Sequence, residues 1–168
     1  VVPDTIKIRS IAYATKAKKL IIVLDEETTK FELVSLVPDT TQLVATDPEG
    51  DFVRGVILTL APKRALQQGF IDGEEEPYDY ACRYFAPWVG IREDPATGSA
   101  QCALGPFWSK IMKKNDLYAF QCYPNRGATF RVRVGTGEQA GRVVLRGQSV
   151  TVLRGDIDFT NTPTFYEP

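Results

Sequence analysis

Residues 93–112 read EDPATGSAQCALGPFWSKIM, and this stretch decides the fold. Its second half carries the clearest helical pattern in the chain, because apolar residues recur at intervals of three and four along one face. The residues of that face are Ala100, Ala103, Leu104, Phe107, Trp108 and Ile111. The pattern predicts a helix over Pro95–Met112, with a kink at Pro106 because the proline ring clashes with the carbonyl group of Cys102.

The polar turn before this helix has the composition of a helix N-terminus that can hold an anion. Asp94 is predicted to cap the helix, and Pro95 suits the first turn, where its missing N–H group is not needed. Gly98 and Ser99 are small, so a substrate carboxylate could approach the free backbone N–H groups and the positive end of the helix dipole. The hydroxyl groups of Thr97 and Ser99 could add hydrogen bonds. The same residues also suit a well-capped helix without a ligand, so the pattern alone leaves both interpretations open.

Short apolar runs on both sides of this helix predict a sheet. The predicted strands are Lys19–Leu24, Gly55–Leu60, Tyr78–Phe85, Leu117–Cys122, Ala128–Val134, Arg142–Arg146 and Val150–Leu153. The predicted helices before it are Glu26–Val37 and Asp39–Asp47, and Leu66–Pro77 is a predicted loop. No repeat or linker divides the sequence. We therefore expect one α+β domain over residues 1–168, a curved mixed sheet around the central helix, with a loose tail at residues 157–168.

The composition restricts the chemistry that the chain can perform. It has no histidine, so a Ser-His or Cys-His catalytic pair within it is excluded, and proton transfer would have to use carboxylates, Lys, Tyr or Cys. Cys82, Cys102 and Cys122 do not form a metal-binding motif, and we expect reduced thiols and no metal or other cofactor. The net charge of −1 predicts no nucleic-acid partner, and short apolar runs predict no membrane span. Without a visible secretion signal, the expected location is cytoplasmic.

Several segments together resemble one known family. They are Arg83–Gly90 (RYFAPWVG), Glu93–Ala100 (EDPATGSA), Phe120–Cys122 (FQC), Arg126-Gly127 and Val143–Gly155 (VVLRGQSVTVLRG). This combination is similar to the C-terminal half of the phenazine-biosynthesis (PhzF-like) family, and the resemblance extends from about Leu20 to Asp156. A lone TGSA would not be specific, whereas the ordered combination is.

The resemblance implies the diaminopimelate-epimerase-like fold, in which two similar lobes place two helix N-termini across one active site. It implies a cofactor-independent isomerase that moves protons on a small carboxylate substrate. This chain would be the C-terminal lobe, with Asp94 as the proton-handling or orienting carboxylate and Gly98 and Ser99 as binders of the substrate carboxylate. The wider predicted substrate-binding set is Thr97, Gly98, Ser99, Gln101 and Arg126.

Some features depart from the family pattern. The family's N-terminal lobe, with its catalytic Glu and His, has no match here, so the expected partner is that lobe or a second copy of this chain. Gln101 stands where the family usually has a His, and glutamine forms hydrogen bonds but does not titrate. Arg126 could hold an anion or simply lie at the surface. Because the chain begins with Val1, we expect a processed product or a fragment, and the alternative function is a non-catalytic interaction module.

Overall fold

The computed structural model describes residues 2, 3, 5–124 and 126–156, and shows an eight-stranded sheet packed around one long helix. The strands are β1 (Ile8–Ala14), β2 (Lys19–Leu24), β3 (Gly55–Leu60), β4 (Tyr80–Ala86), β5 (Ile91–Asp94), β6 (Asp116–Tyr123), β7 (Arg126–Val134) and β8 (Val143–Arg146). The helices are α1 (Lys30–Ser35), α2 (Thr40–Thr46), α3 (Ala65–Gln68) and α4 (Gly98–Met112). Within these described ranges, no helix is long and apolar enough to cross a membrane.

The sheet is mixed, with the order β1-β2-β3-β4-β6-β7-β8. The β2–β3 and β4–β6 pairs are parallel and the other pairs are antiparallel. One edge of β4 pairs with β3. Its other edge is shared, because Tyr80–Cys82 pairs with β6 and Tyr84–Ala86 pairs with β5. Residues 95–97 connect β5 to α4, so the start of the long helix is held at this divided edge.

Both faces of the sheet are covered, which explains why β2, β3 and β4 are apolar almost throughout. The core between the sheet and α4 contains residues of both. They are Ile21, Val23, Ile57, Tyr80, Cys82, Tyr84, Leu117 and Val132 from the sheet and Leu104 and Trp108 from the helix. The opposite face packs against α1 and the segment around Phe70, and buries Ile22, Leu24, Leu33, Leu36, Val56, Leu58, Leu60, Phe85 and Cys122. Alternate residues of each strand therefore belong to different cores.

The predicted central helix is present, but it begins at Gly98 and not at Pro95. Ala100, Leu104 and Trp108 are buried as expected, whereas Ile111 is 56% exposed because it lies near the helix end. Pro106 lies inside the helix, and the expected kink stays a prediction. The preceding Gly105 allows close packing, since a Cβ there would lie 2.8 Å from Val132 Cγ1.

Other predicted elements are confirmed with changed limits, and a few are wrong. Helix α1 is shorter than the predicted Glu26–Val37, because Thr29 and Glu32 form a capping box that fixes its start. Strands β1 and β5 and helix α3 were not predicted. Residues 150–153 form no strand, and Val150, Val152 and Leu153 are 84%, 93% and 85% exposed. The predicted tail at residues 157–168 lies outside the described residues.

Candidate functional site

Asp94 ends strand β5 directly before the helix that carries the predicted anion site. The prediction that it caps α4 is wrong, because Thr97 occupies the N-cap position and forms no side-chain cap hydrogen bond. Asp94 lies opposite Tyr84 in the β4–β5 ladder, and its Oδ1 accepts a hydrogen bond from the Ala96 N–H group at 3.1 Å. This local turn holds the half-buried carboxylate beside the helix start without using it as the cap.

Thr97 is buried, and the side chain of Gln121 on β6 holds it through two hydrogen bonds. The Thr97 N–H group donates to Gln121 Oε1 at 2.9 Å, and Gln121 Nε2 donates to Thr97 Oγ1 at 2.9 Å. Gln121 Nε2 also donates to the Asp94 carbonyl oxygen. The structure therefore uses the Thr97 hydroxyl internally, and the predicted contact of this residue with a substrate stays a prediction.

Gln101 is fully buried one turn into α4. Its Oε1 accepts a hydrogen bond from the Tyr80 hydroxyl at 2.7 Å, and its Nε2 donates to Gln121 Oε1 at 3.3 Å and lies 3.4 Å from Cys82 Sγ. Both ends of the amide are thus satisfied by the protein. In this arrangement Gln101 attaches the first turn of α4 to Tyr80 and Gln121 in the core. Its predicted contact with a substrate stays a prediction.

Gly98 and Ser99 form the first turn of α4 and are partly or fully exposed. The N–H groups of the first turn of a helix have no acceptor within the helix. The amides that follow are satisfied, since Ala100 and Gln101 both donate to the Thr97 carbonyl oxygen. The Gly98 and Ser99 N–H groups donate to no acceptor among the described residues. These two amides, with the helix dipole behind them, can receive an anion.

Arg126 begins β7 and is exposed, on the same side of the molecule as the turn before α4. It lines a cleft of about 540 Å³ together with Pro95 and Ala96 from that turn. The remaining lining residues described come from β7 and from the segment after β8, among them Phe130, Gln148 and Val150. Arg126 therefore shares a cleft with the two residues that follow Asp94, whereas Asp94 and Gly98 themselves do not line it.

A buried ion pair fixes β5 to the sheet next to Asp94. Arg83 Nε and Nη2 donate to the two carboxylate oxygens of Glu93 at 2.7 and 2.8 Å. Arg83 Nη1 donates to the carbonyl oxygens of Leu33 and Leu36 at 2.9 and 2.7 Å, at the end of α1. Glu93 is thus the ion-pair partner of Arg83 inside the protein. The guanidinium group of Arg83 on β4 also binds the end of α1, so it joins α1, β4 and β5.

Burial keeps two thiols and one phenol of this region neutral, beside the charged Arg83–Glu93 pair. Desolvation raises the pKa of the Cys82 thiol and that of the Cys122 thiol to about 12 each, and raises the pKa of the Tyr80 hydroxyl well above its usual value. Cys102 is the exposed cysteine. In the part of the chain that the structure describes, no group of three or more His, Cys, Asp or Glu side chains is arranged to hold a metal ion.

Gln121 and Arg83 were not predicted as site-forming residues. Each lies in an otherwise apolar strand, YAFQCY and YACRYF, where a polar residue usually faces solvent. A polar side chain inside a strand that is apolar on both faces is the signal that could have identified them, because such a group needs internal hydrogen-bond partners.

The fold and this helix start define a class of protein, an α+β protein of the diaminopimelate-epimerase-like fold. The chain belongs to the PhzC-PhzF family of phenazine biosynthesis-like proteins, whose model matches residues 3–155. It is 39% identical over 154 residues to the mouse phenazine biosynthesis-like domain-containing protein 1, covering 92% of this chain and 49% of that protein.

Two further relatives point the same way. The chain is 45% identical over 80 residues to an uncharacterized isomerase of Halalkalibacterium halodurans, covering 48% of this chain and 28% of that protein. A crystal structure of a PhzF-family protein from Enterococcus faecalis superposes with a TM-score of 0.60 at 25% identity, over 86% of this chain and 46% of the other. The chain spans about half the length of the curated relatives it matches.

Proposed function

We propose that this chain forms one wall of the active site of a cofactor-independent isomerase that moves a proton on a small carboxylate substrate. The observation that carries the proposal is the pair of amides at Gly98 and Ser99, which donate to no acceptor among the described residues and begin α4 shortly after strand β5 ends at Asp94. A relative that is named an uncharacterized isomerase supports the reaction class.

The chemistry follows from what each group can do at the start of α4. The two amides and the positive end of a 15-residue helix would bind the substrate carboxylate. When a proton leaves the adjacent carbon, negative charge spreads into that carboxylate, so the same donors would stabilise the transition state more than the ground state. Asp94 would accept, return or orient the proton, as carboxylates do in general acid-base catalysis. Arg126, across the cleft, would attract the anion.

A complete site needs a second wall. The relatives are about twice as long as the matched region, so about half of each relative has no counterpart in this chain. We propose that the missing wall is a second, N-terminal lobe or a second copy of this chain. The isolated chain would then bind the substrate carboxylate without converting the substrate to product.

The test measures solvent-proton exchange. The chain is incubated in D2O with small cyclohexadiene carboxylates, alone and joined to whatever coding sequence precedes it in its gene. Deuterium incorporation, followed by mass spectrometry, is expected only for the joined protein. Asp94→Asn should lower the exchange rate by about 100-fold or more, which is the usual contribution of a general acid-base group.

The control for this test is Asp116→Asn, which removes an exposed carboxylate on β6 that pairs with Arg133 of β7. It should leave the exchange rate unchanged. Exchange at the wild-type rate in the Asp94→Asn protein would refute the role of this carboxylate, and binding of no carboxylate by the wild-type chain would refute the anion site.

The alternative function is that of a non-catalytic interaction module. The observation that favours it is the run of exposed apolar side chains at Val150, Val152 and Leu153. Exposed apolar surface of this kind marks protein-protein contacts. A dimer in sedimentation velocity measurements, combined with no deuterium exchange into any tested carboxylate by the chain or by the joined protein, would favour the interaction module.

A further inference from the structure

One buried side chain joins the end of β5 to the start of α4, although it contacts no solvent. Gln121 lies on β6, is fully buried, and reaches the turn between β5 and α4. Its amide nitrogen donates to the Asp94 carbonyl oxygen and to Thr97 Oγ1, and its amide oxygen accepts from the Thr97 N–H group. Both ends of the turn are therefore attached to a rigid central strand.

The contacts require an amide. The turn presents a carbonyl oxygen and an N–H group to the same side chain, so the side chain must donate and accept at once. Glutamine donates two hydrogen bonds and accepts without ionising, whereas a protonated glutamic acid donates only one, an ionised glutamate only accepts, and a methionine of similar size has no donor. A carboxylate here would also face the Asp94 carbonyl oxygen without water, which is costly in a buried position.

A second amide fixes Gln121 itself. Gln101 Nε2 donates to Gln121 Oε1 at 3.3 Å, and Gln101 Oε1 accepts from the Tyr80 hydroxyl at 2.7 Å. The oxygen of Gln121 thus receives two hydrogen bonds, one from α4 and one from the turn. Among the described residues, no buried side-chain nitrogen or oxygen atom lacks a hydrogen-bond partner, so the network is closed.

We infer that Gln121 is a positioning residue of the carboxylate site: it fixes the turn from Asp94 to Thr97 so that the Gly98 and Ser99 amides point outward and the Asp94 carboxylate lies beside them. This inference rests on the proposed function. Without the amide, the Thr97 N–H group and the Asp94 carbonyl oxygen are unpaired in the interior, and the turn must rearrange to satisfy them. The Gly98 and Ser99 N–H groups would then no longer point together towards a bound carboxylate.

The experiment uses the 168-residue chain, labelled with 15N, and benzoate as the probe. NMR gives the dissociation constant of benzoate from the shifts of the Gly98 and Ser99 amides, and the hydrogen-exchange rate of the Thr97 amide. The variants are Gln121→Met and Gln121→Glu. Thr59→Val is the matched control, because Thr59 is equally buried in the same sheet and binds Trp108 Nε1 and the Ala81 carbonyl oxygen, away from the turn.

All proteins are compared at the same interval below their own melting temperatures, so that a general loss of stability affects them equally. We expect Gln121→Met and Gln121→Glu to weaken benzoate binding about tenfold or more and to accelerate Thr97 exchange by a similar factor, because the hydrogen bonds that fix the turn are lost. Thr59→Val should change neither value by more than about twofold, because distant sites act independently.

Wild-type affinity and wild-type Thr97 exchange in Gln121→Met would overturn the inference, as would equal losses in Thr59→Val. If benzoate shifts neither amide in the wild-type chain, the carboxylate site of the proposed function is refuted. The Thr97 exchange rate then still decides, by itself, whether Gln121 fixes the turn.

Discussion

Replacement of Arg83 by methionine tests whether the buried ion pair stabilises the fold. The side chain of Arg83 is 3% exposed and that of Glu93 is 13% exposed, and two hydrogen bonds of 2.7 and 2.8 Å join them. The same guanidinium group donates to the carbonyl oxygens of Leu33 and Leu36. The substitution therefore leaves a nearly buried carboxylate and the last carbonyl groups of α1 without their donor.

The expected cost follows from these contacts. Removing one partner of a buried ion pair costs about 3–5 kcal/mol, because the other charge stays behind without compensation. The double substitution Arg83→Met with Glu93→Leu removes both charges, so it should cost less than the sum of the two single substitutions by about 1–3 kcal/mol. Urea unfolding, followed by circular dichroism, measures these free energies of unfolding.

The same change at an exposed pair is the control for this measurement. Arg133 pairs with Asp116, and their side chains are 60% and 65% exposed, so Arg133→Met should cost less than about 1 kcal/mol. The reasoning is refuted if Arg83→Met and Arg133→Met have equal effects, or if the Arg83 and Glu93 substitutions are additive. Additivity would mean that the two side chains contribute independently to the free energy of unfolding.

Three further outcomes are expected. Gly98→Ala should raise the free energy of unfolding by about 0.4–1 kcal/mol, because the new Cβ meets only Leu145 Cδ1 at 3.6 Å, yet it should weaken benzoate binding measured by titration. Iodoacetamide at pH 8 should alkylate Cys102 first, and peptide mapping should find the two buried thiols unmodified unless the chain unfolds. The Tyr118 hydroxyl lowers the pKa of Asp72 below 3.8, so stability should fall as the pH drops through that lowered value; the urea midpoint of Asp72→Asn should lack this component.

Local pattern predicted much of the fold. Strands β2, β3, β4, β6, β7 and β8 and the central helix were expected from apolar runs and from helical spacing, with shifted limits. Strand β1 was missed because it is a sheet edge, and its first four residues are exposed, so its burial pattern is weak. Residues 150–153 were predicted as a strand on composition, but in the described chain they find no neighbouring strand to pair with.

The N-cap of α4 could not be predicted from the local sequence. The residue types in EDPATGSA fit a capped helix, and Asp94 followed by Pro95 is an ordinary cap sequence. In the fold, however, Asp94 is paired with Tyr84 across the β4–β5 ladder, which keeps it extended and moves the N-cap to Thr97. The N-cap position is therefore decided by the pairing of Asp94 with Tyr84, a strand partner ten residues away. Local sequence preferences for helix caps do not take such a partner into account.

The sequence by itself determined the class of fold, the position of the central helix, the absence of histidine chemistry and the small residues that leave the helix start accessible. The tertiary structure alone decided that Gln101 and Gln121 face each other in the core, that Arg83 binds Glu93, and that Asp94 lies outside the helix. Hydrophobic periodicity is a local property that the chain carries along its length. A buried polar group is instead fixed by partners that folding brings from distant positions, such as Thr97 and Gln121, because it must form hydrogen bonds where no water is present.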